Sequence, residues 1–309
     1  MKSRNNVSSN LRRLRTEESN EAAEDLDCKS SLEIARLINA EDATVAAAVE
    51  RALRQIARAI DAAAAALRDG GRLIYVGAGT SGRIAALDAA ECSPTFNTDR
   101  VQFIIAGGAK ALASDSEISE DDSKQGRAEI TRLKPGKHDV IIGIASSGRT
   151  PFTLAAIKAA RHRGAHTIAL TCNPNSPLER AAHFAIVTPV GPEVLAGSSR
   201  MKAATAHKMV LNMISTGAMS RLGYVYGNLM VNVVPKNEKL TQRAIAILER
   251  ASGVDPAAAR RALEASRGRT PVALVMLTAK VPRAQAVAAL KKSSGHVRRA
   301  IALAAKGNH

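Results

Sequence analysis

Residues 73–83 read Leu73-Ile74-Tyr75-Val76-Gly77-Ala78-Gly79-Thr80-Ser81-Gly82-Arg83 and set the architecture of the whole chain. The first four residues are apolar and have the length of a buried parallel strand. Glycine and hydroxyl residues follow, and Gly82–Ala90 then has a helical pattern. A strand that runs through a glycine-rich turn into a helix is typical of an open α/β sheet.

Further short apolar runs repeat this pattern along the middle of the chain. They predict strands at Phe103–Ile105, Val140–Ile144, Thr167–Leu170 and Phe184–Val187. The intervening segments predict helices at Asp122–Leu133 and Pro151–Arg163, and another from about Met201 to Leu222. This alternation predicts an α/β fold with a doubly wound parallel five-stranded sheet flanked by helices.

The two ends of the chain differ from the middle. Residues 1–29 are polar, first basic and then acidic, and predict an arm. A short helix is expected at Ser31–Ile38 with Ser31 as its cap, and Asp42 is expected to cap a long helix that ends at Gly70-Gly71.

The pattern after Gly227 is mostly helical, with predicted helix starts at Asp255, Thr270 and Pro282. We therefore expect a small all-helical C-terminal domain. The predicted domains are the arm at 1–29, an α/β domain with its N-terminal helices at 30–235, and a helical domain at 236–309.

The composition and charge of the chain bear on whether it binds nucleic acid. The chain has 309 residues, 46% of them hydrophobic but only 2% aromatic, and a formal net charge of +16. Much of that charge lies in residues 236–309, which hold fifteen Lys and Arg against four Asp and Glu. We interpret this positive charge as a solvated basic surface, because the near absence of aromatic residues argues against a platform on which nucleic-acid bases stack.

The cysteines and the hydropathy pattern indicate the compartment. Cys28, Cys92 and Cys172 are too far apart for a redox pair or a zinc ribbon, and the odd count indicates a reducing compartment. We find no signal peptide and no apolar run of the roughly 18 residues that a membrane span needs. The sequence predicts a soluble cytoplasmic protein, with neither a membrane nor nucleic acid as a partner.

Three loops rich in Gly, Ser and Thr are candidates for binding phosphate. They are Gly77–Arg83, Ala145–Pro151 and Gly197–Arg200. Glycine lets backbone N–H groups approach an anion, a following helix directs its positive end at the anion, and hydroxyls donate the remaining hydrogen bonds. The candidate residues are Gly79, Thr80, Ser81, Ser146, Ser147, Gly148, Thr150, Ser198 and Ser199. Three such loops on one sheet favour a monophosphorylated sugar.

Two other interpretations of these loops stay open. Residues 77–82 formally match G-x-G-x-x-G, which is typical of dinucleotide binding. That motif needs an acidic residue after the second strand, where this chain has Ala106-Gly107-Gly108. The other interpretation is that the loops are structural turns without a ligand.

Two carboxylates are candidates for proton transfer. Glu91 lies near the end of the helix that follows the first loop, which is expected to stop at about Ser93 because Pro94 follows. Glu120 lies in an acidic stretch after Gly107-Gly108. Paired carboxylates beside a phosphosugar suit general acid and base catalysis. The alternatives are an exposed helix end for Glu91 and a solvated acidic loop for Glu120.

We expect no metal site among the histidines. His162 and His166 are four residues apart, but Gly164 lies between them and no carboxylate completes a ligand set.

The same stretches resemble the signature of the N-acetylmuramic acid 6-phosphate etherases. The resemblance rests on Leu73–Arg83 running into Asp88–Cys92, on Gly143–Pro151 and on Gly197–Ala203. Further matches are Thr16-Glu17 with Asn20, Ile38–Asp42, Gly227–Val231 and Asn237–Leu240, so the similarity runs from about residue 14 to the C-terminus.

This resemblance implies a sugar isomerase (SIS) fold, usually as a homodimer, with a small C-terminal helical domain. It implies cleavage of the D-lactyl ether of N-acetylmuramic acid 6-phosphate to N-acetylglucosamine 6-phosphate and D-lactate in cell-wall recycling, without metal or organic cofactor. The family's catalytic glutamates fall on Glu91 and Glu120. The chain departs from the family at Ile118 and Ser119, where Gly and Ala are more frequent, at Asn232 for Asp, and at His207 for Gln.

The implied mechanism gives each glutamate a role. Glu120 removes the C2 proton of the open-chain sugar, Glu91 protonates the departing lactate oxygen, and water then adds to the unsaturated intermediate. Glu117 and Asp121 are the other candidates for the base. Two further functions stay open: an aldose–ketose isomerase, and a non-catalytic regulator similar to the glucokinase regulatory proteins, which bind phosphosugars.

Overall fold

The computed structural model describes residues 14–114, 117–235 and 237–306, so the start of the predicted arm lies outside the described residues. Five parallel strands form one sheet in the order β2-β1-β3-β4-β5. They are β1 Leu73–Gly77, β2 Val101–Ile105, β3 Val140–Ile144, β4 His166–Thr171 and β5 Phe184–Val187. The predicted doubly wound five-stranded sheet is confirmed, and the strands differ from the predicted ranges by two residues at most.

The register of the central strands places the loops that follow them side by side. β1 and β3 are buried along their whole length, which is why both consist of apolar residues without alternation. Gly77 at the end of β1 pairs with Ile105 on one side and Ile144 on the other. The loops after β1 and β3 therefore leave the sheet at the same edge and at the same level.

Helices surround the sheet and form the C-terminal part of the chain. In chain order they are α1 Ser31–Asp42, α2 Val45–Glu50, α3 Leu53–Arg68, α4 Gly79–Phe96, α5 Glu117–Glu120, α6 Ser123–Leu133, α7 Pro151–His162, α8 Pro177–Ala181, α9 Lys202–Arg221, α10 Glu238–Ser252, α11 Pro256–Ala265, α12 Thr270–Ala279, α13 Arg283–Lys292 and α14 Val297–Lys306. Short 3₁₀ turns lie at Arg15–Glu17, Glu21–Ala23, Leu26–Cys28 and Gly108–Leu112.

Both predicted caps in the N-terminal helices were wrong. Ser30, not Ser31, caps α1, because Glu33 stands three residues later and completes a capping box with the Ser30 backbone N–H at 2.8 Å. Asp42 is the last residue of α1 instead of a cap. The expected long helix is divided into α2 and α3, because the chain turns between Glu50 and Leu53 while the apolar spacing continues across the break.

Helix α4 is longer than predicted at both ends. It begins at Gly79, so the first loop forms its opening turn, and it continues past Pro94 to Phe96. Proline removes the N–H that would bond to the Ala90 carbonyl. Ala90 is exposed, so water can satisfy that carbonyl, and the helix tolerates the proline.

The chain divides into two compact units. One holds the described residues up to Ala89 together with Arg100–Ser215, and the other holds Ala90–Asp99 together with the described residues from Thr216. In the first unit, buried aliphatic residues of the sheet pack against α7, with Phe152, Ala156 and Ile157 fully buried.

The described residues of the second unit are mostly helical, and its one β-bridge among them joins Tyr226 and Leu229. Its core centres on α12, where Val272–Val275 are fully buried. The predicted starts agree with the structure: Asp255 caps α11, Thr270 begins α12, and Pro282 is the cap residue of α13.

Among the described residues no single helix is both long and apolar enough to cross a membrane. Helices α12 and α13 together have the length and composition of a span, but the chain bends by 108° between them.

Candidate active site

A cavity of about 260 Å³ opens at the carboxyl edge of the sheet in the first unit. Its lining residues are Thr16, Glu17, Ala78, Gly79, Thr80, Ser81, Arg83, Glu120, Ala145, Ser146, Ser147, Thr150 and Ser199. Most of the predicted site residues meet here, although they lie on three separate loops of the chain. Gly148 and Ser198 do not line the cavity, and Glu91 falls in the second unit.

The first loop supplies five of the lining residues, Ala78, Gly79, Thr80, Ser81 and Arg83, and its Gly82 packs closely against the sheet. A Cβ on Gly82 would lie 2.5 Å from Ile105 of β2, so only glycine lets α4 approach the sheet here. Arg83, one residue further on, donates to the Ala111 carbonyl at 3.0 Å and to the Ser114 carbonyl at 2.7 Å. These bonds fix the segment that leads from β2 towards Glu120.

Glu120 lies against the first turn of α4. A Cβ on Gly79 would collide with the Glu120 Oε1 atom, and Gly79 has a φ of +50°, which L side chains rarely adopt. Glycine is therefore required twice at this position, for its backbone conformation and for the space that the carboxylate occupies. Glu120 is half-buried, at the end of α5 and two residues before Asp122, which caps α6.

The second loop lines the cavity with hydroxyl groups, and Gly148 packs this loop against Ser176. Ser146 is buried, and the Ser147 hydroxyl accepts a hydrogen bond from the Arg149 backbone N–H at 3.2 Å. Thr150 precedes α7 but makes no capping bond with its side chain, so its hydroxyl is not used by the helix. Gly148 has a φ of +64° and packs against the Ser176 side chain, so it supports the loop instead of lining the cavity.

The third loop differs from the expected arrangement. The N-terminus of α9 was expected to point at the anion, but the carboxylate of Glu193 already accepts from the Lys202 and Ala203 N–H groups at 2.9 and 3.0 Å. Glu193 is fully buried, and burial raises its pKa while these two bonds lower it. The Lys202 ammonium in turn pairs with Glu41 at 2.5 Å. Ser199 is therefore the contribution of this loop to the cavity.

Two residues of the N-terminal arm also line the cavity. The Asn173 amide donates to the Thr16 hydroxyl at 3.1 Å and to the Ser146 carbonyl at 2.9 Å, which ties the arm to the second loop. Glu17 follows Thr16, and its Oε2 atom lies 3.1 Å from the position of a Cβ on Gly197. Our interpretation of the sequence missed both as site residues, although Thr16-Glu17 is among the stretches that resemble the etherases.

The cavity is therefore polar. Two carboxylates from different segments of the chain line it, Glu17 from the arm and Glu120 from α5. Arg83 is the one Arg or Lys among the described residues that line it. Hydroxyl and backbone N–H donors together with carboxylates suit a ligand that carries both an anionic group and neutral hydroxyls.

Helix α4 carries two acidic residues with different environments. Asp88 is buried in the first unit and accepts hydrogen bonds from the Tyr75 hydroxyl at 2.9 Å and the Ser215 hydroxyl at 3.1 Å. Burial raises its pKa, and both hydrogen bonds oppose the rise. Asp88 thus holds α4 and α9 onto β1. Glu91 is exposed, and its carbonyl accepts from the Thr95 hydroxyl at 2.7 Å.

The histidines form no ligand cluster, since no group of three or more His, Cys, Asp or Glu in the described part of the chain is arranged to hold a metal ion. His166 stacks on His183, with ring centroids 4.9 Å apart. His207 is fully buried beside the Cys172 thiol at 3.6 Å, and burial lowers its pKa to about 4.

Comparison with known proteins identifies relatives over nearly the whole chain. The model of the glucokinase regulatory protein N-terminal SIS domain matches residues 55–161, and that of the SIS domain matches residues 133–217. An N-acetylmuramic acid 6-phosphate etherase of Symbiobacterium thermophilum is 53% identical over 274 residues, 88% of this chain and 91% of that protein. The same enzyme of Edwardsiella ictaluri is 48% identical over 297 residues, 96% of this chain and 99% of that protein. N-acetylmuramic acid 6-phosphate etherase 1 of Bacillus licheniformis is 46% identical over 96% of this chain and 98% of that protein.

Proposed function

The chain belongs to the family of N-acetylmuramic acid 6-phosphate etherases, and we propose that it cleaves the D-lactyl ether of N-acetylmuramic acid 6-phosphate. The products are N-acetylglucosamine 6-phosphate and D-lactate, and the reaction serves the recycling of peptidoglycan amino sugars. The observation that carries the proposal is the cavity that hydroxyls from three loops line together with the carboxylate of Glu120.

The hydroxyl groups that line the cavity are the proposed binding site of the 6-phosphate. Its donors are the side chains of Thr80, Ser81, Ser146, Ser147, Thr150 and Ser199. The first turns of α4 and α7 add backbone N–H groups and the positive ends of two helix dipoles. Binding the phosphate at this remote point fixes the sugar carbons relative to the carboxylates, which is how a non-reacting group accelerates a reaction.

Glu120 is the proposed general base. In the open-chain sugar the C1 aldehyde acidifies the C2 proton, and the Glu120 carboxylate takes that proton. The electron pair of the C2–H bond is first delocalised onto the C1 oxygen as an enolate, and it then forms a C2=C3 double bond as the C3–O bond to lactate breaks. Water then adds at C3, and the proton returns to C2. Proton transfer of this kind typically contributes about 10²- to 10⁴-fold in rate.

Glu91 is the proposed general acid, which protonates the departing lactate oxygen. Support for this role comes from its place in the stretch 88–92 that resembles the family, and from its position on α4, the helix that the first loop opens. Its exposed carboxyl is accessible to a substrate.

Glu17 is a proposed positioning residue. It lines the same cavity, and an ionised carboxylate only accepts hydrogen bonds. A sugar hydroxyl is a neutral donor that such an acceptor can orient. Asn173 donates one hydrogen bond to the adjacent Thr16 and one to the Ser146 carbonyl, so the Glu17 backbone is held relative to the second loop.

The release of D-lactate from N-acetylmuramic acid 6-phosphate tests the function. We expect the purified chain to release one lactate for each N-acetylglucosamine 6-phosphate formed. Interconversion of an aldose and a ketose phosphate without lactate would instead show an isomerase. Binding of the phosphosugar without turnover would show a regulator, the class suggested by the match to the glucokinase regulatory protein domain.

Two further properties follow from the family. We propose that the enzyme is a homodimer and that it works in the cytoplasm. Light scattering on the purified chain tests the first, and fractionation of the source cells tests the second.

A further inference from the structure

A second, larger concavity lies between α6 and α7, in the first unit. Its volume is about 650 Å³. The residues that line it are Ser123, Arg127, Thr131, Arg149, Pro151, Leu154, Ala155, Lys158, Ala159, His162 and Arg163. None of them lines the sugar-phosphate cavity, so the two concavities are separate. We call this second one the α6–α7 groove.

The α6–α7 groove concentrates positive charge. Arg127, Arg149, Lys158 and Arg163 all carry positive charge. Among the described lining residues there is no Asp or Glu to offset them. Glu129 of α6 does not line the groove, and its carboxylate pairs with Arg132, which does not line it either.

The arrangement of these cations follows from helix geometry. Lys158 and His162 are one turn apart on α7, so they project from the same face. Arg127 and Thr131 have the same relation on α6. Like charges on facing helices repel, so the groove gains stability when an anion lies between them.

Arg149 joins the groove to the second loop of the active site. Its Nε atom is buried and has no hydrogen-bond acceptor among the described residues. The Arg149 guanidinium also makes no salt bridge to a described carboxylate, and the planar fork of its terminal N–H donors matches the oxygens of a phosphate. The floor of the groove is apolar and half-buried, formed by Pro151, Leu154, Ala155 and Ala159.

We propose that the α6–α7 groove binds a small molecule that carries at least two phosphate groups and a flat, weakly polar portion, as a nucleoside triphosphate does. Four positive charges exceed what one phosphate monoester neutralises, which argues for a polyphosphate. The apolar floor provides a surface for the flat portion. Because Arg149 and Pro151 share a loop with Ser146, Ser147 and Thr150, the ligand and the phosphosugar act on the same segment, and any coupling between them is reciprocal.

Calorimetric titration of the full chain tests this proposal, with tripolyphosphate and adenosine triphosphate as probes. N-acetylglucosamine 6-phosphate is kept at saturation, so that the probes do not enter the sugar cavity. We expect one probe molecule per chain, with adenosine triphosphate binding more tightly than tripolyphosphate. In Arg127→Gln/Lys158→Gln the affinity for both should fall at least tenfold, because two charge-assisted contacts are lost.

A matched variant controls for net charge. Lys124→Gln/Lys137→Gln removes the same charge from exposed positions outside the groove lining and should change the affinity less than twofold. The proposal is overturned if both double variants weaken binding equally, or if the wild type binds neither probe at millimolar concentration. It is also overturned if Arg127→Gln/Lys158→Gln turns a dimer into a monomer, since the groove is then an interface between copies. Lactate release by the wild type is measured separately, so failure here leaves the proposed function standing.

Discussion

Replacing Gly79 by alanine strains the backbone and also fills the space beside Glu120. The control variant Gly70→Ala separates these two effects. The first is backbone strain: Gly79 has a φ of +50°, and an L residue in this region costs about 1–2 kcal/mol. The second is space: the new Cβ would lie too close to the Glu120 Oε1 atom. Restoring an ordinary carbon–oxygen contact requires the carboxylate to retreat by about 1 Å.

That displacement has a predictable kinetic effect. Misplacing a reacting group by about 1 Å can lower the rate about 10²-fold, and complete loss of a general base costs about 10²- to 10⁴-fold. We therefore expect kcat/KM for lactate release by Gly79→Ala to fall about a hundredfold. Most of the loss should be in kcat, because the phosphate-binding hydroxyls stay in place.

Gly70→Ala is the matched control. Gly70 has a φ of +84°, but a Cβ there meets no atom within 4 Å. Both variants should lose a similar free energy of unfolding in urea titrations, while only Gly79→Ala should lose activity. If Gly79→Ala keeps kcat/KM within twofold of Gly70→Ala, the position of Glu120 beside Gly79 is not the reactive one.

Further predictions concern the arm and the buried histidine. Glu17→Gln should raise KM about tenfold and leave kcat nearly unchanged, while Glu18→Gln, its exposed neighbour outside the cavity, should match the wild type in steady-state kinetics. Asn173→Ala loses the bond to Thr16 of the arm and the bond to the Ser146 carbonyl, so it should cost about 1–3 kcal/mol in urea titrations. It should also speed tryptic cleavage after Arg15, and an unchanged cleavage rate would contradict this anchoring. Burial keeps the pKa of His207 at about 4, below the ordinary 6.5, so the unfolded chain binds a proton that the folded chain excludes. Stability should therefore fall as the pH drops from 6.5 towards 4, by about 3 kcal/mol for this group, and His207→Gln should flatten that part of the wild-type profile.

The sheet and the phosphate-binding loops were predictable because their signals are local. Each strand is a short apolar run, and each of the first two loops follows its strand directly, so the parallel register alone brings Gly79 and Ser146 to one edge. Glu120 was identified by resemblance to the etherases, since composition alone favoured a solvated loop. Its contact with Gly79 depends on the path of residues 106–120, which no local pattern encodes.

The rest of the site depends on contacts between distant residues. Asn173 and Thr16 are 157 positions apart, and nothing in either local sequence indicates that they bond. The carboxylate of Glu193 on the N-terminus of α9 is a similar case, because a glutamate nine residues before Lys202 could equally be solvated. Pro94 misled the prediction of the end of α4 because a helix tolerates proline where the unpaired carbonyl faces water.

The central claim is that Glu120 removes the C2 proton of the phosphosugar, and hydrogen exchange in deuterium oxide tests it most directly. The wild type should place deuterium at C2 of N-acetylglucosamine 6-phosphate as it releases lactate. Glu91→Gln should release lactate at least a hundredfold more slowly yet still exchange the C2 hydrogen of the substrate, because only the leaving group lacks its acid. Glu120→Gln should lose both exchange and release. C2 exchange at the wild-type rate in Glu120→Gln would contradict the account and assign the base to another residue.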